Sequence, residues 1–385
     1  MSRFPLHLDL TGRRVLVVGG GPVAVRRVRA LLEAGAAVDV VALDVVAEMP
    51  EVPVARRAFD AADVEGAWLV VSCTGVVDEE VAQVCEKSGI WCVRADDAVA
   101  SRAWVPAVAR LDDVVVSVSA GGDPRRAIAL RDAIALAVDV GELPLRRGRP
   151  GAGSVALVGG GPGDPGLLTV HARRLLAAAD VVVRDRLAPA LELADDVEVV
   201  DVGKTPGGPS YDQRAIERLL VERAREGLRV VRLKGGDVHL FGRGIEEVAA
   251  CVEAGVAVEV VPGVSSAFAV PAYAGIPVTA RGVTQSVSVV SAHLPPGDPG
   301  STVDWDALAR LGGTLVLLMA VGRLESVCDA LVTGGRPADT PVAVVQDGTL
   351  PTQKVVVTTL RHAARDAAEV TAPAVVVIGD VVGLR

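Results

Sequence analysis

At 385 residues the chain is long enough for two or three domains with sizeable cores, and with 50% hydrophobic but only 3% aromatic residues its apolar mass is mostly Ala, Val and Leu. That balance excludes collagen-like, disordered and disulfide-scaffold classes. A formal charge of −9 repels nucleic acid, and charged residues break every apolar stretch short of the roughly 18 residues of a spanning helix, so neither a nucleic-acid nor a membrane partner is expected despite a mean hydropathy of +0.42.

The opening MSRFPLHLDLTGRR has no apolar core followed by a small-residue cleavage site, which points to the cytoplasm. From Arg13 the chain runs strand, Gly-rich turn, helix, strand: RRVLVV, GGGPVA, VRRVRALLEAGA, AVDVVALD. Further strands are expected at AWLVVS, IWCVRA and DVVVSVSA, with a helix through DEEVAQVCEKSG. Continuous apolar runs of this kind fit a doubly wound parallel sheet covered on both faces. A helix follows Gly122, with Asp123 as its cap and Pro124 in its first turn. Pro144 to Gly153, PLRRGRPGAG, has the composition of a linker. The expected division is therefore 1–122, a connecting 123–153, and 154–385. In the last part SVALVG, VVVRD, VEVVDV, LRVVRLK and VEVVPGV read as strands, followed by SVSVVSAH, TLVLLM, PVAVVQ and AVVVIG, enough for two lobes. The five cysteines form no Cys-x-x-Cys pair and the five histidines no His-x-x-x-His pair, so no metal site is expected and the cysteines read as small buried hydrophobes.

Gly19, Gly21 and Ala24 give the GxGxxA spacing between a strand and a helix that a dinucleotide needs. Gly19 permits the turn, Gly21 lets the backbone approach a pyrophosphate, and Ala24 lets the helix close on the strand. Asp44 ends the second strand, where a carboxylate accepts from an adenosine ribose and disfavours a phosphate, so NAD is expected rather than NADP.

The stretch from about Phe4 to Gly122, with FPLHLDLTGRRVLVVGGGPVA and SAGG, resembles the NAD-dependent precorrin-2 dehydrogenase and ferrochelatase domain of the siroheme synthase family. The resemblance implies that Pro22, Val23, Leu43 and Asp44 line an NAD site. It also implies that Asp96 is the catalytic acid for ring oxidation, with Fe2+ as a metal substrate. Asp97 is the alternative acid. The pattern departs from the family at Val93 and at Asp123, and the segment that follows is shortened to about one helix.

GGGPGDPGLLT, from Gly159 to Thr169, lacks the Lys-Ser/Thr pair of a P-loop. In order with VVVRDRL, VGK, VVRLKGGDVHLFGRGIEE and VVPGVSSAFAVPAYAGIPVTARG it closely resembles uroporphyrinogen-III C-methyltransferase of the tetrapyrrole methylase class. That likeness places Pro162, Gly235, Gly236, Asp237, Leu240, Ser265, Ser266, Met319 and Gly348 around S-adenosyl-L-methionine. It makes Asp185 the proton acceptor and Lys204 the donor. Arg184, Arg186, Arg232, Lys234, Arg243 and Arg281 are candidates for the carboxylates of uroporphyrinogen III. His239 stands where the family has an apolar residue, so packing is expected for it. The expectation is thus an α/β chain, a Rossmann-like NAD domain followed by a two-lobed tetrapyrrole methylase domain. It would act as a homodimer that methylates uroporphyrinogen III twice to precorrin-2 and oxidises precorrin-2 with NAD. A chain in which only the methyltransferase is catalytic, the first domain binding NAD or a second copy, is the alternative.

Overall fold

The computed structural model describes residues 4–97, 100–111, 114–143, 151–203 and 211–385. The chain forms two compact units, Met1–Ala135 and Leu136–Arg385.

In the first unit β1 (Arg14–Val18), α1 (Pro22–Glu33), β2 (Ala37–Ala42), β3 (Val54–Arg56), β4 (Leu69–Ser72), α2 (Asp78–Ser88) and β5 (Trp91–Arg94) build an all-parallel sheet of order β3-β2-β1-β4-β5. The Val-rich strands are buried on both faces, as helix-covered parallel strands must be. α1 buries Ala24, Val25 and Val28 at helical spacing and stops at Gly35, where φ is +75°. The strand order reverses between β1 and β4, and the crevice beyond their carboxyl ends is where such sheets bind ligands.

DVVVSVSA does not join this sheet. Its strand, β7 (Val114–Val118), pairs antiparallel with β6 (Ala107–Leu111) in a separate hairpin, and Val114 and Val115 are exposed. A Val run carries the same pattern on a hairpin as in a buried sheet, which is why the sequence suggested otherwise. α3 (Pro124–Asp139) follows, and the division between the units falls within it. Asp123 caps it, accepting from the Arg126 amide at 3.0 Å.

The second unit has two sheets. β8 (Ser154–Gly159), α4 (Val170–Ala178), β9 (Val181–Arg184), β10 (Glu198–Asp201), α5 (Gln213–Arg225), β11 (Arg229–Lys234), α6 (Gly244–Glu253) and β12 (Ala257–Val261) form a parallel lobe of order β10-β9-β11-β8-β12. After α7 (Ser266–Tyr273) come β13 (Val287–Ser291), β14 (Thr314–Leu318), β15 (Pro341–Gln346), β16 (Lys354–Thr359) and β17 (Ala374–Ile378), in the order β13-β14-β17-β15-β16. Here only β13 and β14 run parallel; the other pairings are antiparallel. α7 packs Ala267, Val270 and Ala274 into one core with Val316, Ala343 and Val377, so it belongs to this second lobe. Among the described residues no helix is long and apolar enough to cross a membrane.

Candidate active sites

The first site stands at the end of β1. Gly19 has φ +122°, and a Cβ there would lie 2.8 Å from the Cys73 carbonyl oxygen on β4's exit. Gly20, which spacing alone did not single out, is tighter: its Cβ would meet the Asp44 carbonyl oxygen at 2.0 Å. Gly21 is the N-cap of α1, with no atom within 4 Å of a Cβ position, so the helix N-terminus opens onto free space. Pro22 takes the first helical position and is exposed beside the half-buried Val23, while Ala24 is wholly buried in the core of β1. Leu43 is 77% exposed, an apolar shelf at the crevice rim. The exposed Asp44 carboxylate accepts from the Val45 amide at 2.9 Å and pairs with Arg56 at 3.2 Å.

Asp96 follows β5. Its oxygens accept from Arg94 Nε and Nη2 at 3.1 and 2.8 Å, and Arg94 also reaches Glu79. The guanidinium holds the Asp96 carboxyl below the usual carboxylate range. Asp97 turns to the Ala100 amide at 3.0 Å. Arg94 and Ala95 line a cavity of about 380 Å³ with Trp104, Ser101 and, from α1, Arg27.

In the second unit the two Gly-rich strand ends interlock. Gly160 donates to the Lys234 carbonyl at 2.8 Å, and Gly236 and Gly161 exchange hydrogen bonds of 2.7 and 3.1 Å. A Cβ on Gly263 would stand 2.2 Å from the Gly236 carbonyl oxygen, so no side chain fits between these loops. Gly236, at φ +69°, has only the Ser266 amide near its own Cβ position, at 3.9 Å. Asp237 holds the loop: Oδ1 accepts from His239 and Leu240 amides at 2.9 and 3.1 Å, and Oδ2 from Gly263 at 3.1 Å. Ser265 caps α7 through the Ala267 amide at 3.1 Å. Gly348 lies against α7, where a Cβ would meet Val270 Cγ1 at 2.3 Å.

All the residues that the resemblance places around the methyl donor, Pro162 through Gly348, line a single cavity of about 390 Å³ where loops of the two lobes meet. Phe241 and Asp347, which the sequence reading did not single out, also line it. Phe241, Met319 and Asp347 have φ of 56°, 59° and 50°, and the nearby Arg243 and Thr349 have 57° and 75°. Non-glycine residues avoid this region at a cost of about 1 kcal/mol or more, so the wall is strained backbone held by its surroundings.

Asp185 leads from β9 into that wall at Arg186 and Leu187. It accepts from Arg232 Nη2 at 2.6 Å and lies 3.9 Å from Lys234 Nζ. Behind it Glu247, fully buried, takes Arg232 Nε at 3.0 Å and Lys234 Nζ at 3.1 Å. Burial, with Arg232 alongside, pulls the Lys234 ammonium below its ordinary value. Arg232 and Lys234 are thus sealed into a network and are not available as substrate contacts, which corrects the expectation for both. Arg184 pairs with Asp201, and Arg243 with Glu246. Among the described residues Arg186 and Arg281 have no ion-pair partner, and Arg186 lines the cavity. Gly203 presses on Arg186, its Cβ position 2.7 Å from the Arg186 amide nitrogen; Lys204, next in sequence, lies outside the described residues. His239 is exposed and not packed as expected.

A family model for tetrapyrrole (corrin/porphyrin) methylases matches residues 154–364, and an NAD(P)-binding model matches residues 6–107. The siroheme synthase of Acinetobacter baylyi is 36% identical over 453 aligned positions, covering all of this chain and 99% of the relative. This chain belongs to the siroheme synthase family. Its 385 residues against 453 aligned positions mean that this family member carries sequence the chain lacks. An S-adenosyl-L-methionine-dependent uroporphyrinogen III methyltransferase of Methanosarcina barkeri is 48% identical, covering 60% of the chain and 93% of itself. The crystal structure of uroporphyrin-III C-methyl transferase from Thermus thermophilus complexed with S-adenosyl homocysteine superposes with a TM-score of 0.52 at 42% identity, over 60% of this chain and 93% of that one.

Proposed function

We propose that this siroheme synthase family enzyme methylates uroporphyrinogen III twice in its second unit and oxidises the product, precorrin-2, in its first. The observation that carries the first half is the convergence of nine separately spaced residues, Pro162 to Gly348, on one cavity. The cavity suits S-adenosyl-L-methionine: the cradle at Gly236 is free of side chains, and backbone amides and carbonyls crowd around it. When bound there, S-adenosyl-L-methionine supplies an electrophilic methyl group. Arg186 at the rim engages a carboxylate of the macrocycle and holds the reacting pyrrole carbon toward the methyl. As the new C–C bond forms and the C–S bond breaks, a ring proton must leave, and Asp185 takes it. Arg232 and Lys234 fix its carboxylate from behind, and Lys204 keeps the donor role that the resemblance implies, with no net proton added to the ring.

In the first unit the open N-terminus of α1 beside Gly21 suits a dinucleotide diphosphate, and Asp44 its ribose. NAD held by the Gly19–Ala24 turn and Asp44 would supply the hydride acceptor for precorrin-2. Asp96 takes the accompanying proton, and the cavity beside it, lined by Arg94 and Trp104, receives the macrocycle. The same carboxylate removes pyrrole N–H protons when Fe2+, as substrate, is inserted.

The test is an anaerobic reaction of the purified chain with uroporphyrinogen III and S-adenosyl-L-methionine, then NAD, then ferrous iron, read by absorbance and product mass. Two methyl additions, then loss of two hydrogens only with NAD, are expected. Asp185→Asn should cut methylation by about 100-fold or more, the scale of a lost general base, with methyl-donor binding retained. Arg186→Ala should raise KM for uroporphyrinogen III. Methylation without any NAD-dependent change would reduce the first unit to a binding module.

A further inference from the structure

The first unit's cavity holds a charge that no described residue balances. Of its lining residues only Arg27 and Arg94 are cationic, and Arg94 is committed to Asp96 and Glu79. Arg27, half-buried on the inner side of α1, has no hydrogen-bond or ion-pair partner among the described residues. Burial pulls its guanidinium below the ordinary value, and the neighbouring Cys73 is no counter-ion, since burial pushes its thiol up to about 11. The one acid in the lining, Asp123, is turned into the cap of α3. Taking a guanidinium partly out of water with no partner is unfavourable, and such a site is completed by an anion from outside.

Two anions are available to this unit: the diphosphate of a dinucleotide and the carboxylates of a tetrapyrrole. The cavity decides between them. None of Gly19 to Ala24, nor Asp44, lines it; its walls are Val93, Trp104, Val105, Pro106 and Ile128, which suit a flat apolar ring carrying an acid at its edge. We infer that Arg27 is the specificity-determining residue of the oxidation site, binding one carboxylate of the macrocycle at depth and so fixing which way the ring lies beside Asp96. The inference rests on the reading of this unit as the precorrin-2 oxidising site. A planar guanidinium grips a carboxylate through two parallel hydrogen bonds, so one such contact orients as well as attracts.

The experiment compares full-length Arg27→Gln and Arg27→Lys with the parent. KM and kcat for precorrin-2 oxidation are measured anaerobically, NAD affinity by titration, and folding by thermal melting. Arg27→Gln should raise KM for precorrin-2 by about 10- to 100-fold, the scale of one charge-assisted hydrogen bond pair, and leave NAD affinity and melting unchanged. Arg27→Lys should recover part of the loss. An unchanged KM in Arg27→Gln, with the parent oxidising normally, removes Arg27 from the site; weakened NAD binding with unchanged KM assigns it to the diphosphate. A parent that methylates but never oxidises precorrin-2 overturns the underlying reading together with this one.

Discussion

Glu247 touches no ligand, yet it stands at the centre of the second unit's charge arrangement. Arg232, Lys234 and Glu247 are 1%, 4% and 0% exposed, and among the described residues Glu247 is the only fully buried counter-charge the two cations share. Removing one member of such a network leaves uncompensated charge in the interior, which costs about 3–5 kcal/mol. Glu247→Gln should therefore lower unfolding free energy by about that amount in chemical denaturation. Methylation should fall as well, because Arg232 no longer holds the Asp185 carboxylate in one place. A variant as stable as the parent would show that water reaches the network. Little of this was visible in VVRLKGGD or GIEE. Arg232 and Lys234 read as contacts for the substrate carboxylates, because a sequence shows charge but not the burial that makes a cation a strut.

At the level of elements, the turn between β1 and α1 carries the sharpest expectation. The GxGxxA spacing picks out Gly19, Gly21 and Ala24, but the least replaceable residue is Gly20, whose missing side chain lets the end of β2 pass at 2.0 Å from its Cβ position. Gly20→Ala should abolish detectable NAD binding, measured by titration, and leave methylation by the second unit unchanged; NAD affinity within about twofold of the parent would show that β2 can yield. The strand–turn–helix itself was legible because its apolar runs, turn residues and helical spacing agree. Other elements were not. β3 is three residues without alternation, and β7 looks buried by composition although it belongs to a two-stranded hairpin. The residues proposed to hold the methyl donor were reached through long motifs in order. Phe241 and Asp347 were passed over because a motif gives chain order but not which of its side chains face a cavity.

For the whole molecule, each unit has its own cores. In the second, separate clusters form around Leu220 and Val183, around Leu176 and Val158, and around Leu315 and Val376. The Methanosarcina relative consists almost entirely of the part that aligns here. A fragment from Leu136 to Arg385 should fold and add two methyl groups to uroporphyrinogen III, detected by product mass, while yielding no NAD-dependent product. An insoluble or inactive fragment would show that the methylating unit depends on the first. The division between the units falls inside α3, after Ala135, where no composition change marks it.

The strained wall at Met319 and Asp347 sets the terms on which this enzyme can be altered. Glycine at Met319 or Asp347 relieves a backbone penalty of about 1 kcal/mol, partly offset by the freedom it adds to the unfolded chain, so this rim is a place where heat resistance can be gained. It is equally the place where the side chains given up are those that shape the proposed methyl-donor pocket. Selection for durability and selection for turnover would therefore pull the same handful of codons in opposite directions.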